Sequence, residues 1–357
     1  MGVSSSGFVR GSRRVQVVAL VASVGFLLLT SGSAQAARAT PVSCGQVVAG
    51  VVKLANDLHC VESDGLIVGS DNTIIDLNGH RITCTGAGYR GSCQGTAVAS
   101  APDEEPEDGV SINGRDNVHV FTSVYGATIA GFDNGIDINR SSDVKIEHLI
   151  ITGPPADDSV NPRPFSHGIL VRGSNCGGDK QIHLGTGNYP SNDLSNHNQG
   201  IAINGSCVSV VQNRSHNNNS NGSVPSNGIL INGGSNNVVR GNEVYNNGDR
   251  VDSSEQDGGI TLRNRANQNH VLNNKVNENF GDGISVRSGS FDNKIDDNTM
   301  LFNGGAFSGS LFYDAAGRGA PGGRPGSEPL NEWNQHNRCL TQNEEVPPRT
   351  CSPDEAS

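Results

Sequence analysis

Apolar residues in this chain recur two apart inside short phrases, and the phrases themselves recur. Asp108-Gly-Val-Ser-Ile, Asn134-Gly-Ile-Asp-Ile, His167-Gly-Ile-Leu-Val, Gln199-Gly-Ile-Ala-Ile, Asn227-Gly-Ile-Leu-Ile, Gly258-Gly-Ile-Thr-Leu and Asp282-Gly-Ile-Ser-Val are seven versions of one unit. Pairs such as Ile136/Ile138, Ile201/Ile203, Ile229/Ile231 and Ile284/Val286 have the period of a strand with one buried face, and helical spacing is almost absent. The phrases return every 24 to 33 residues, an interval that signals a solenoid. Asp64-Gly-Leu-Ile-Val opens the series.

A second pattern trails the first by about a dozen residues. Asn213, Asn242, Asn274 and Asn298 each head an Asn-x-apolar segment, and Asn218, Asn247, Asn279 and Asn303 follow five residues later. Stacked in register, such asparagines can hydrogen-bond to their own next copy and satisfy turn backbone that burial would leave unpaired. Only 4% of residues are aromatic and 34% hydrophobic, with 47 glycines, too little for a broad globular core. A narrow core of Ile, Val and Leu ladders suffices for an all-β right-handed parallel β-helix. In that fold, side chains at one offset form a row spaced about 4.8 Å apart.

The ends of the chain and its cysteines place it outside the cell. Arg10, Arg13 and Arg14 precede an apolar run from Val15 to Leu29, and Ala34-Gln35-Ala36 is an A-x-A cleavage site, so residues 1–36 read as a signal peptide. The run falls short of the about 20 apolar residues that span a bilayer, and no later segment is expected to span one. Eight cysteines in an exported chain suggest disulfides, paired as sequence neighbours: Cys44 with Cys60, Cys84 with Cys93, Cys176 with Cys207, and Cys339 with Cys351. Cys176 and Cys207 sit eight and seven residues after Gly168 and Gly200, which predicts that they face each other across adjacent rungs. Without the signal, Lys+Arg falls from 25 to 22 against 36 acids, a charge near −14 that argues against nucleic acid.

Four regions follow: the signal peptide 1–36, an opening or cap segment 37–107, rungs 108–314, and a Gly/Pro-rich linker with a disulfide-closed C-terminal cap, 315–357, that holds Trp333, the only tryptophan. Insertions are expected just before the Gly-Ile strands, at 153–166, 185–198, 213–226 and 247–257. They would border a groove along one face.

The phrase Asp76-Leu-Asn-Gly-His80, followed by the Gly-Ile-x-Ile and Asn-x-Val rungs, resembles the secreted right-handed parallel β-helix repeat proteins of the pectin-lyase-like superfamily. The resemblance covers nearly the whole mature chain and implies extracellular polysaccharide as the ligand. It carries over no catalytic residue. There is no Asn-Thr-Asp with a paired Asp-Asp and Gly-His-Gly, as in polygalacturonases, no Asp-Pro-His of the epimerases and no Trp-Ile-Asp-His of the pectate lyases, and two methionines offer no thioether-rich copper site.

Chemistry is therefore sought in the outward rows of the Gly-Ile strand. Position two after the glycine gives Ser111, Asp137, Leu170, Ala202, Leu230, Thr261 and Ser285; position four gives Asn113, Asn139, Arg172, Asn204, Asn232, Arg263 and Arg287. Asp137, His167 and Arg172 form the catalytic candidate, because a uronate lyase needs a cation to neutralise the carboxylate and a base for the C5 proton. A purely catalytic Arg172 should be dispensable for stability. Arg263, Arg287 and Tyr189 are the substrate-binding candidates, and Asp108 is the candidate ligand for a calcium ion. Against these stand plainer readings: a polar turn residue for His167, solvated strand ends for the arginines, and solubilising loops for Asp157-Asp158 and for Asp249, Asp252, Glu255 and Asp257. Two function classes remain open: a secreted protein that binds or processes polysaccharide, as a lyase or epimerase in its enzymatic form, and a non-catalytic structural or surface solenoid.

Overall fold

The computed structural model describes residues 38–61, 63–85, 106–154, 166–174, 176, 181–186, 190–219, 226–248, 258–287, 289–303, 312–314, 331–333, 336–339 and 351–352. These strands form three parallel sheets of 11, 11 and 10 strands, in which every neighbour lies one winding away in sequence. The chain visits them in rotation. Asp108–Asn113 enters the face sheet, Asp116–Phe121 the second and Thr128–Ala130 the third, before Asn134–Asn139 returns to the face sheet.

The seven phrases stack in the register expected from the sequence. Ile136 pairs with Val110 and with Ile169, and the same offset continues through Ile201, Ile229, Ile260 and Ile284. All seven residues at position one, and all seven at position three, have no exposed surface. Asp64-Gly-Leu-Ile-Val belongs to the same series, since Leu66–Val68 pairs with the strand Asp108–Asn113, but the face sheet opens one strand earlier, with Gln46–Val48. Ile82, Ile129, Ile151, Leu194, Val244, Val276 and Met300 from the third sheet close the core from the other side.

The phrase glycines are not turn glycines. A Cβ on Gly135 would sit 2.2 Å from Ile151 Cγ2 and 2.6 Å from the Gly168 carbonyl oxygen, so glycine is required there by close approach between sheets.

Asparagine ladders brace the turns. Nδ2 of each residue donates to Oδ1 of the next along Asn192, Asn213, Asn242, Asn274, Asn298 and Asn337, at 2.8 to 3.1 Å. A second ladder runs through Asn218, Asn247, Asn279 and Asn303. A third, through Asn237, Asn269, Asn293 and Asn331, was not anticipated. The left-handed conformation falls not to the ladder asparagine but to the residue before it: Gln212, Asn273 and Asp297 in the first ladder, Asn217, Asn246, Glu278 and Phe302 in the second.

Two of the four supposed insertions contain strands of the third sheet, Asp193–Ser195 within 185–198 and Arg214–His216 within 213–226. Each strand has a single inward residue, too few for a period of two to register.

Cys44–Cys60 and Cys176–Cys207 are disulfides with Cα separations of 5.5 and 5.3 Å, as the sequence predicts. Cys84 is also disulfide-bonded. Its expected partner Cys93, and the side chains of Cys339 and Cys351, lie outside the described residues. Trp333 is buried over Ile295 on the second sheet. Among the described residues no helix is long and apolar enough to cross a membrane.

Candidate functional site

The face sheet presents three polar rows on one side. Thr261 Oγ1 donates to Asn227 Oδ1 at 2.6 Å, which shows that the row before the glycine and the position-two row share the outward surface. Along position two, that surface is closed. Leu170, Ala202 and Leu230 are 6%, 1% and 2% exposed, and Asp137, Thr261 and Ser285 are buried as well, so the open flat strip expected from strand alternation is closed from Asp137 to Ser285.

At Asp137 and Arg172 the rows meet in a charged fork. The strands Asn134–Asn139 and His167–Arg172 set Arg172 beside Asn139, and its side chain reaches back to Asp137, with Nε 3.1 Å from Oδ1 and Nη2 2.6 Å from Oδ2. The fork is asymmetric in its exposure. The Asp137 side chain is 4% exposed and that of Arg172 41%, so the carboxylate anchors from below a guanidinium that still faces solvent.

His167 joins this group through the row before the glycine. Its Nδ1 lies 2.8 Å from Asn134 Oδ1, and Asn134 Nδ2 donates to Asp108 Oδ1 at 2.9 Å. Burial, reinforced by the charge of Arg172, lowers the His167 imidazole to about 4, so it is neutral at physiological pH. Burial and then the nearby Asp137 charge push the Asp108 carboxyl up to about 8. Such surroundings favour the protonated acid.

The other predicted residues lie farther along the axis. Arg263 donates from Nε to Asn232 Oδ1 at 3.2 Å, and burial together with neighbouring Arg287 lowers its pKa. Arg287 donates from Nε to Ser285 Oγ at 2.8 Å and pairs with Asp282 at 3.5 Å. Tyr189 and the acidic residues Asp157, Asp158, Asp249, Asp252, Glu255 and Asp257 lie outside the described residues.

Sequence reading missed two polar groups. On the second sheet, Glu147 accepts from His119 Nε2 at 2.7 Å, from Lys145 Nζ at 2.8 Å and from Thr186. Burial alone would raise the Glu147 carboxyl, but these donors bring it down to about 2. The available signal was Lys145 and Glu147 two apart on an outward face. Among the described residues, one group could hold a metal ion: Asp296, Asp297 and His336, whose ligand atoms all lie within 4.8 Å of one another. Asp108 is not part of it.

The family model of the right handed beta helix region matches residues 108–312, more than half of the chain. The chain belongs to that family. With its three parallel sheets, this β-helix protein has the right-handed, pectin-lyase-like fold. It is similar to a double-mutant form of the periplasmic alginate epimerase AlgG, at 16% identity over 75% of each chain with a TM-score of 0.41. A single-mutant form of AlgG gives 14% identity over 83% of this chain and 76% of that one, with a TM-score of 0.45. The A-module of the Azotobacter vinelandii mannuronan C-5 epimerase AlgE4 gives 14% identity over the same shares, with a TM-score of 0.32. No curated protein matches the sequence of the β-helix protein.

Proposed function

We propose that the mature chain is an extracellular protein that binds and processes polysaccharide at the Gly-Ile face, acting on a uronic-acid polymer as a lyase or epimerase. The observation that carries this reading is the juxtaposition of a neutral histidine, His167, with the anchored arginine fork of Arg172. Arg172 would hold the uronate carboxylate and stabilise the negative charge that develops when the C5 proton leaves. His167 takes that proton as general base. The electron pair of the broken C5–H bond then has two fates. In elimination it forms a C4–C5 double bond and expels the C4 oxygen, which regains a proton from the imidazolium or solvent. In epimerisation C5 is reprotonated from the opposite face and no bond of the chain breaks.

Arg263 and Arg287 supply cationic positions three and four rungs from Arg172 on the same face, suited to further carboxylates of the same polymer. The chemistry routes no step through calcium. The disulfides and the apolar N-terminal run support export. A non-catalytic solenoid is the second reading, favoured by the closed surface at Leu170, Ala202 and Leu230.

The deciding experiment incubates purified mature protein with acidic and neutral polysaccharides, with and without calcium, and reads products by mass spectrometry and C5 configuration by NMR. Unsaturated oligosaccharides or inverted C5 centres from a uronate polymer, lost in Arg172→Lys, are expected. An unchanged panel would leave the non-catalytic solenoid.

A further inference from the structure

Asp108, Asn134 and His167 stand on consecutive rungs in one row, and their hydrogen bonds run in a single direction. Asn134 Nδ2 donates to Asp108 Oδ1, which turns Oδ1 of the same amide toward His167 Nδ1. An amide oxygen can only accept. Nδ1 must therefore carry the proton, and in a neutral imidazole the lone pair is left on Nε2.

We propose that Asn134, oriented by Asp108, is a positioning residue that fixes His167 in the Nδ1–H tautomer and thereby makes Nε2 the proton-accepting nitrogen of the site. The inference rests on the reading of His167 as the base and adds which nitrogen acts and what selects it. An amide suits this task better than a carboxylate. A carboxylate at Nδ1 would stabilise the imidazolium and raise its pKa, whereas an amide orients the ring without adding charge, in keeping with a histidine held neutral. Asp108 is needed because an amide turned by 180° would offer its NH2 to Nδ1 and select the opposite tautomer. Asn134 and Asp108 are both buried, and in the structure the Asn134 NH2 faces Asp108 Oδ1.

The test uses mature protein labelled with 15N-histidine, with the His167 signals assigned by their loss in His167→Gln. At neutral pH the ring is expected to show a protonated Nδ1 and a bare Nε2. Asn134→Leu and Asp108→Leu should shift it toward Nε2–H, while Asp108→Asn, which keeps an acceptor oxygen, should preserve the wild-type pattern. A protonated Nε2 in the wild-type protein would overturn the relay without recourse to any variant. The readout does not depend on turnover, so the expected tautomer in a protein inert toward every polymer would uphold the relay while refuting the proposed activity.

Discussion

Arg172 holds Asp137 through two parallel hydrogen bonds across one rung, and the carboxylate at the bottom of that fork is almost wholly buried. This changes the expected phenotype of Arg172. A purely catalytic arginine would be dispensable for stability, but removing this one strands a buried charge. Arg172→Ala should lower stability by about 3 kcal/mol, while the double variant Arg172→Met/Asp137→Leu, which removes both charges, should recover most of the loss. Urea unfolding of the three proteins reads this directly. Equal instability of single and double variants would show that packing, rather than the stranded carboxylate, accounts for the loss.

The site also predicts stability against pH. For Asp108, raised to about 8 against 3.8 in the open chain, the folded state binds the extra proton, so its contribution falls as pH rises from about 4 to 8. His167, lowered to about 4 from 6.5, acts with the opposite sign: the unfolded state binds more protons between these values, and stability rises with pH across that window. The two effects oppose each other up to about pH 6.5, beyond which Asp108 acts alone. Denaturant midpoints should decline between pH 6.5 and 8.5 in the wild type, and Asp108→Asn should flatten that decline. A flat wild-type profile would place the Asp108 carboxyl in the ordinary range.

Ladder asparagines should be far less replaceable than surface ones. Asn242 receives Asn213 Nδ2 and backbone N–H on Oδ1, and donates to Val210 O and to Asn274. Asn242→Ala leaves buried backbone and amide groups unpaired and is expected to cost about 2 to 4 kcal/mol. Asn113→Ala, at an exposed asparagine on the strand Asp108–Asn113, should stay within about 0.5 kcal/mol. Thermal melts of the pair decide the matter, and similar losses in both would deny the ladder a stabilising role.

Cys176 and Cys207 close a loop with a sequence separation of 31 residues. Chain-entropy reasoning puts the contribution of such a bridge at about 3 to 4 kcal/mol. Non-reduced peptide mapping should recover the two cysteines linked, and Cys176→Ser/Cys207→Ser should unfold at lower denaturant. A free thiol at either position would break the rung register.

The sequence shows the face sheet well because each of its strands buries two residues, enough for alternation to be visible. The third sheet is poorly visible because strands such as Asp193–Ser195 bury only Leu194. The third ladder was legible and overlooked: Asn237, Asn242 and Asn247 stand five apart, as do Asn269, Asn274 and Asn279, so one side of the coil spans five residues. In the site, residue types and rung assignments follow from register alone. The length of Arg172 lets it reach back along the strand, and it does so to Asp137; what register cannot supply is the partner of His167, which meets Asn134 rather than Asp137. The closure of the position-two row is a tertiary effect that leaves no local sequence signal.

Because each ladder amide bonds only to its neighbours, the coil is indifferent to how many copies it contains but sensitive to where a copy is cut. Excising the 32 residues from Asn242 to Asn273 would bring Asn213 onto Asn274 and leave all three ladders continuous, whereas losing a single residue between Asn242 and Asn247, where the ladders stand five apart, would put an amide of that winding out of step. Length in such a chain can change by whole windings through duplication or deletion, so the separation between Arg172 and the Arg263/Arg287 pair can be reset in one genetic event without redesigning either.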